Sequence, residues 1–153
     1  MDVQSHITKT LVGLACTRVT KVENSWHLSF GDRKACLRLD CPWRVLVDNA
    51  IRFGDEDHGQ QFGLPAPVDG EQRTCTLLQA SPVIAATLRI GPGDIAIDFE
   101  NGSHLEVFAN SAGYESWAFR DDNGFELIAM GGGKLGVWEM DPGGSRAVLK
   151  YSI

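Results

Sequence analysis

Residues 94–119, DIAIDFENGSHLEVFANSAGYESWAF, decide the fold of this chain. Apolar residues occupy alternate positions on both sides of an Asn-Gly dipeptide: Ile95, Ile97, Phe99, Leu105 and Val107. Such alternation is typical of strands with one buried face, and Asn-Gly readily takes the positive φ angles of a two-residue hairpin turn. A second bend precedes Tyr114–Phe119. The stretch therefore predicts a hairpin followed by a third strand over 114–119.

Similar short segments recur on both sides of this stretch, separated by turn residues such as Gly31-Asp32 and Asp121–Gly124. They cover residues 16–22, 26–30, 35–39, 43–47, 83–90, 125–130, 135–138 and 147–153. Period-2 alternation with turns of two to four residues requires antiparallel neighbours. The sequence predicts a mainly β fold, α+β at the margin, with antiparallel sheets arranged as a sandwich or an open barrel.

Two short helices complete the predicted elements. Ser5 is a candidate N-cap for a helix over 6–14, and Asp69 for a helix over 71–79, because both side chains accept hydrogen bonds from free helical N–H groups. Between them, residues 51–70 lose all periodicity and are rich in Gly and Pro, which predicts a long loop with room for one short strand. Loops of this length in compact domains are usually functional or mobile.

The order of these elements repeats along the chain. At 153 residues the length predicts one domain, 1–153. Within it, residues 5–48 and 71–120 each read as a helix followed by a β-meander, with Trp43 and Tyr114 leading matched strands. A hairpin over 125–138 and a strand over 146–152 follow. We interpret this as an internal duplication whose two units bury sheet faces against each other or against the helices.

The charge balance narrows the possible partners. The net charge is −6 and the isoelectric point about 5.1. Nucleic-acid binding needs a basic face and is not predicted. A basic protein partner is compatible with an acidic surface, which raises the encounter rate, although acidity for solubility alone explains the same charge. No apolar run is long enough to span a membrane and the first residues lack a signal-peptide core, so we expect a cytoplasmic protein with reduced thiols.

Metal, cofactor and catalytic signatures are weak. The four cysteines, Cys16, Cys36, Cys41 and Cys75, form no zinc pattern, and at least two of them read as buried small hydrophobes. The four histidines are scattered. Gly131–Lys134 lacks the leading glycine and the hydroxyl residue of a phosphate-binding loop, so it predicts a turn. We predict no cofactor, no metal and no catalytic residue, while an active site assembled from distant strands stays open.

Two groups of residues are candidates for contact with a partner. Asp55, Glu56 and Asp57 form an acidic patch in the long loop, and a solvated loop with no partner is the simpler interpretation. If Trp117 and Phe119 face the core, Tyr114, Ser116 and Ala118 face outward and Glu115 lies at the rim of the inner face. An exposed Tyr114 fits a binding surface, since tyrosine packs widely at small entropic cost. Packing of Tyr114 on a neighbouring strand is the simpler interpretation.

The pattern around the opening stretch carries a family resemblance. The run Ile97-x-Phe99-x-Asn101-Gly102-x-x-Leu105-x-Val107, then Tyr114–Trp117 and a later apolar hairpin, resembles small bacterial β-rich proteins found near polymorphic and contact-dependent toxins. Some of these look like immunity proteins. The resemblance covers residues 77–138 and implies a non-enzymatic protein that binds and neutralises a toxin domain. It supplies no catalytic residues.

The sequence hypothesis is therefore an acidic, non-enzymatic immunity protein that occludes a basic cleft of a toxin. Asp55, Glu56 and Asp57 would meet that cleft, with Tyr114 and Glu115 beside them. Two alternatives remain. The chain is a small-ligand-binding domain or small enzyme with a pocket between the two β units, or it is a structural subunit of a larger assembly.

Overall fold

The computed structural model describes residues 2–139 with their side chains and the backbone of residues 140 and 147–152. Two α-helices are present there, α1 (Val3–Leu11) and α2 (Gly70–Leu78). The first strands are β1 (Cys16–Val22), β2 (Ser25–Phe30), β3 (Ala35–Leu39), β4 (Trp43–Val47), β5 (Ala50–Gly54) and β6 (Val83–Arg89). The remaining strands are β7 (Asp94–Phe99), β8 (Ser103–Val107), β9 (Trp117–Asp121), β10 (Glu126–Ala129), β11 (Leu135–Met140) and β12 (Ala147–Ser152).

The strands form two antiparallel sheets, which confirms the predicted mainly β class. One sheet has the order β1-β2-β3-β9-β10-β11-β12 and the other β5-β4-β8-β7-β6. Neither sheet closes into a barrel. The predicted hairpin over 125–138 forms from β10 and β11, whereas Arg146 and Ile153, at the ends of the predicted last strand, lie outside the described residues.

Each half of the chain completes the sheet of the other half. Strands β1-β2-β3 form a meander, yet β3 pairs with β9 of the second half, with Leu37 opposite Phe119. The meander β6-β7-β8 is extended in the same way by β4 of the first half, with Val45 opposite Leu105. The two halves therefore share both sheets. The predicted duplication itself stays a prediction.

Each helix covers the edge strand of one sheet, α1 that of β6 and α2 that of β1. The Oε1 atom of Gln4 in α1 accepts a hydrogen bond from the backbone N–H of Leu88 in β6 at 2.7 Å. The Oε2 atom of Glu71 in α2 accepts one from the backbone N–H of Lys21 in β1 at 3.0 Å. An unpaired edge strand is a site of unwanted pairing, so these side chains protect the edges of β6 and β1.

The first helix begins earlier than predicted. Asp2 is its N-cap, with Oδ1 accepting from the backbone N–H of Ser5 at 3.1 Å, so Ser5 lies inside the first turn. The helix ends at Leu11, and Leu14 packs against the core from outside it. The second helix begins after Asp69 as predicted, with Oδ1 accepting from the N–H of Gln72 at 3.2 Å.

Strand β9 corrects the prediction for 114–119. The strand begins at Trp117, and residues 114–116 belong to the loop that precedes it. Trp117 and Phe119 face the core, whereas Ala118 lies on the outer face with Arg120, where the neighbouring side chains leave this small residue little exposed. Ser116 is buried, so the prediction that it faces outward is wrong.

One continuous core joins the two sheets and the helices. Its largest fully buried side chains include Trp43 at the start of β4 and Trp117 at the start of β9. Trp43 therefore corresponds to Trp117 in the structure and not to Tyr114, as the sequence suggested. Among the described residues, no helix has the length and apolar character needed to cross a membrane.

Candidate functional site

Carboxylates gather at one end of the two sheets, which we call the acidic end: Asp40, Asp55, Glu56, Asp57, Asp94 and Glu115. The link between β3 and β4 lies at its centre. The backbone N–H of Asp40 donates to the carbonyl of Ser116 at 2.8 Å, and that of Trp43 to Oδ1 of Asp55 at 3.2 Å. The Cα atoms of Asp40 and Trp43 are at most about 11 Å apart across three peptide units. The fold therefore brings the two predicted contact groups to the same end.

The turn Asp55–Asp57 is held by two of its own carboxylates. It forms one 3-10 turn directly after β5. Asp55 accepts from Trp43 as described, and Oδ2 of Asp57 accepts from the backbone N–H of Gly54 at 2.9 Å. Glu56 is exposed, while Asp55 and Asp57 are half-buried. Of the three predicted contact residues, Glu56 is the carboxylate best placed to reach a partner.

The loop before β9 presents an aromatic side chain to solvent. Tyr114 is 82% exposed, as a binding surface requires, and does not pack on a neighbouring strand, which was the simpler interpretation of the sequence. The Oγ atom of Ser111 accepts from the backbone N–H groups of Gly113 at 3.1 Å and Tyr114 at 2.9 Å. Glu115 is exposed and pairs with Nη2 of Arg38 at 3.3 Å, whose Nε also binds Asp40 at 2.9 Å. The tyrosine therefore stands on a fixed loop.

Three glycine-containing loops hold this loop in place, and we call their contact the glycine junction. Gly131–Gly133 forms a 3-10 turn between β10 and β11, as the turn interpretation of this run predicted. A Cβ on Gly131 would meet the backbone of Gly113. The backbone N–H of Gly132 donates to the carbonyl of Ser111 at 2.9 Å, and the carbonyl of Gly93 accepts from Nε1 of Trp117 at 2.8 Å. These glycines allow close backbone approach, for which side chains leave no room.

The carboxyl group of Asp55 accepts a hydrogen bond from the N–H of Trp43, and substitutions can separate this bond from the charge of the group. Burial raises the pKa of its carboxyl above 3.8, the ordinary value. The pKa of Asp55 is therefore higher in the folded chain than in the unfolded chain. Its contribution to the free energy of unfolding is fully present at a pH below the unfolded pKa, and it is lost as the pH rises through the folded pKa. Asp55→Asn keeps an oxygen for the N–H of Trp43 and removes the titration. We expect it to be at least as stable as the wild type at pH 7, with the difference shrinking below about pH 4.

Asp55→Ala is the matched change, because it leaves the N–H of Trp43 without its acceptor. We expect a loss of about 1–3 kcal/mol in the free energy of unfolding at pH 7. Urea titrations of both variants at pH 4 and pH 7 measure these effects. Equal destabilisation by asparagine and alanine would contradict the proposed role of the carboxyl oxygen.

The thiols are poorly suited to nucleophilic chemistry. Cys16 and Cys41 are buried, and burial raises the pKa of each to about 12. Cys36 is half-buried, and burial raises its pKa as well, while Cys75 is exposed. The thiolate is the reactive form, so Cys16 and Cys41 are protonated and inert at neutral pH. In the part of the chain that the structure describes, His, Cys, Asp and Glu side chains do not form a group of three that could hold a metal ion.

A polar ladder crosses the outer face of the five-stranded sheet. Nδ1 of His104 lies 2.5 Å from Oδ1 of Asp98, and its Nε2 lies 3.7 Å from Oε2 of Glu106. Nε of Arg44 donates to Oε1 of Glu106 at 2.8 Å, and its guanidinium lies 5.2 Å from the ring centroid of Phe108. These groups satisfy one another across neighbouring strands, as cross-strand pairs on an exposed face do.

A groove beside β5 was not found from the sequence. It has a volume of about 570 Å³ and lies between β5, α2 and the loop over residues 58–69. Phe53 lines its floor, and the exposed side chains of Phe62 and Leu64 stand on its rim. One feature of the sequence pointed to this region, the loss of periodicity over 51–70. That signal predicted a functional or mobile loop but could not show that its apolar residues line a groove against a helix.

Comparison with known proteins identifies the family of the chain. Neither curated proteins nor solved structures gave a match. A family model described as a family of unknown function, DUF6188, matches residues 7–139. The match runs from α1 into β11 and so includes the acidic end, the glycine junction and the groove. The chain belongs to DUF6188, a family of unknown function.

Proposed function

We propose that this protein is a non-enzymatic binding protein of the cytoplasm whose acidic end docks on a basic surface of a toxin domain and neutralises it. One observation carries the proposal: carboxylates from separate elements lie at the same end of the sheets as an exposed tyrosine on a fixed loop. The resemblance to immunity proteins supports a toxin as the partner.

The charge of the acidic end is only partly balanced. Arg38 pairs with Asp40 and Glu115, and Arg89 lies 3.8 Å from Asp94. Arg52 and Arg73 line the same groove as Asp57, so four guanidinium groups in all lie near the six carboxylates, which still leaves a negative excess in this part of the described structure. Such a field steers a basic partner toward the surface and rejects acidic ones.

The geometry suits occlusion. Tyr114 would enter the partner surface as a rigid aromatic anchor, and Glu56 and Glu115 would meet cationic groups on either side. Because Asp55 and Asp57 bind their own backbone, the turn keeps its shape on binding, which limits the entropic cost of association. A toxin whose basic cleft is covered in this way cannot admit its substrate.

Charge reversal tests this proposal. The probe is the C-terminal domain of a secreted protein encoded beside this chain, and a gene neighbourhood without one counts against the toxin partner. We expect Glu56→Lys and Glu115→Lys each to weaken binding by about tenfold or more and to reduce its salt dependence, because each removes one attraction and adds a repulsion. Calorimetric titrations at two salt concentrations measure both effects.

Glu100→Lys is the matched control. Glu100 is exposed and lies just before β8. At that end of the β4–β8 pair Ser103 is opposite Val47, and at the other end Val107 is opposite Trp43, whose N–H binds Asp55. The control residue therefore lies at the end opposite to Asp55. An equal loss of affinity for Glu56→Lys and Glu100→Lys would show that net charge, and not the acidic end, drives binding.

A further inference from the structure

We propose that the open edge of β5 and the groove beside it form a second docking surface, which binds an extended segment of a partner protein carrying alternate apolar residues and an acidic group. This surface adjoins the acidic end, since Asp57 belongs to both, but it does not depend on the toxin proposal. Four observations support it: β5 is an edge strand, its counterpart β10 is covered by β11, the groove is apolar, and two arginine side chains line it.

Strand β5 is an edge strand that α2 reaches through one long hydrogen bond only, from Nη2 of Arg73 to the carbonyl of Arg52 at 3.5 Å. Arg52 is a bulge residue, because Phe53 and Ile51 pair with the consecutive residues Val45 and Leu46 of β4. The edges of β6 and β1 are covered by α1 and α2 through Gln4 and Glu71, as described above. Ala50, Ile51 and Arg52 are exposed. An exposed edge of this kind is a template for an added strand.

The other half of the chain shows how such an edge is covered. Strand β10 holds the position in its sheet that β5 holds in the other, since β10 follows β9 as β5 follows β4. Strand β11 then pairs with β10, with Val137 opposite Leu127, and buries Leu135 and Val137. After β5 the chain runs instead into the turn at Asp55. In the described residues no strand lies beside β5 where β11 lies beside β10.

The groove next to this edge is apolar and preformed. Phe53 at its floor is 1% exposed, whereas Phe62 on the rim is 69% exposed. The loop that carries Phe62 is closed at its base, because the N–H of Gly59 donates to the carbonyl of Val68 at 2.8 Å and the N–H of Val68 to Gln60 at 2.7 Å. A volume of about 570 Å³ falls within the usual range of ligand sites, so side chains from an added strand fit here.

The charges in the groove favour an acidic occupant. Asp57 and Asp69 also line it, but each accepts a hydrogen bond from a backbone N–H of the chain, that of Gly54 or Gln72. Arg52 and Arg73 are exposed and form no ion pair with the described residues. Two guanidinium groups beside an apolar groove recognise a carboxylate next to apolar side chains.

A second copy of this chain fits the surface poorly. Pairing of two β5 edges about a two-fold axis at the strand centre would set Arg52 opposite Arg52, and like charges directly opposite are destabilising. We therefore assign the edge to a different polypeptide.

Selection from a displayed library of random linear heptapeptides tests this inference with the full chain as bait. We expect enriched peptides to have apolar residues at alternate positions and at least one Asp or Glu. Binding of a synthetic peptide of the enriched sequence should weaken about tenfold or more for Arg73→Glu and for Phe62→Ser, and amide hydrogen exchange of Ile51 and Arg52 should slow when it binds.

Arg18→Glu and Glu115→Lys are the controls. Arg18 is exposed on β1 in a depression that it shares with Asp32 and Arg33, and should leave peptide affinity unchanged. Glu115→Lys separates the two proposals, because Glu115 belongs to the acidic end, pairs with Arg38 and does not line the groove, so this change weakens toxin binding only. No enrichment, enrichment of basic peptides, equal binding to Arg73→Glu, or self-association of the chain through β5 would each overturn the inference.

Discussion

Gly133→Ala is expected to lower the free energy of unfolding by about 3 kcal/mol or more, the largest effect of an alanine at any glycine of the glycine junction. Gly133 has φ +84°, a conformation that costs an L-residue about 1–2 kcal/mol. A Cβ at this position would also overlap the carbonyl oxygen of Gly91, which belongs to the backbone and cannot rotate away. Relief requires one loop of the glycine junction to move, and overpacking of this kind costs about 1–3 kcal/mol.

Gly132→Ala separates the two causes. Gly132 also has a positive φ, +77°, but the nearest atom to its Cβ would be the carbonyl oxygen of Ala112 at 3.8 Å. We expect a cost of about 1–2 kcal/mol from the backbone conformation alone. Urea denaturation of the two variants measures the difference. Equal destabilisation would show that the contact between the 91–93 and 131–133 loops does not constrain the fold.

The second large effect is expected for Trp117→Phe, with a loss of about 2–4 kcal/mol. The indole of Trp117 is fully buried, so a smaller ring leaves a cavity in the core. Phenylalanine also has no N–H for the carbonyl of Gly93, and a buried acceptor left without its donor costs about 1–3 kcal/mol.

Trp43→Phe is the matched control, because Trp43 occupies the equivalent position in the other sheet. Trp43 leads β4 as Trp117 leads β9, and its side chain is equally buried. Its Nε1 atom is buried and makes no hydrogen bond with any described residue. Replacement removes similar volume together with an unsatisfied donor, so we expect a loss smaller by about 1–3 kcal/mol. Thermal unfolding of both variants measures this difference, and a larger loss for Trp43→Phe would contradict it.

Local patterns predicted the strands well because the physics that defines them is local. Alternation and the Asn101-Gly102 turn fixed β7 and β8, since one face of each strand is buried. The start of β9 was misplaced because residues 114–116 resemble extended chain in the sequence, whereas hydrogen bonds from Gly113 and Tyr114 to Ser111 hold them in a loop. The exchange of β4 and β9 between the two halves depends on contacts between distant residues, which periodicity does not report.

The site was predictable in part. The exposure of Tyr114 and the acidity of the turn at Asp55–Asp57 are visible in the sequence. The sequence does not show which of these carboxylates remain free to bind a partner. The hydrogen bonds from the N–H of Trp43 to Asp55 and from the N–H of Gly54 to Asp57 form only once β4 and β5 pair. The groove is missing from the sequence prediction for the same reason: Phe62 and Arg73 meet only in the folded chain.

Amide hydrogen exchange of the chain, alone and bound to the toxin domain, tests the central claim most directly. Occlusion by the acidic end predicts slower exchange in residues 111–116 and in the turn at Asp55–Asp57, with no change at Glu100–Ser103 on the opposite end. Protection confined to residues 100–103, or absent from both segments of the acidic end, would contradict the account.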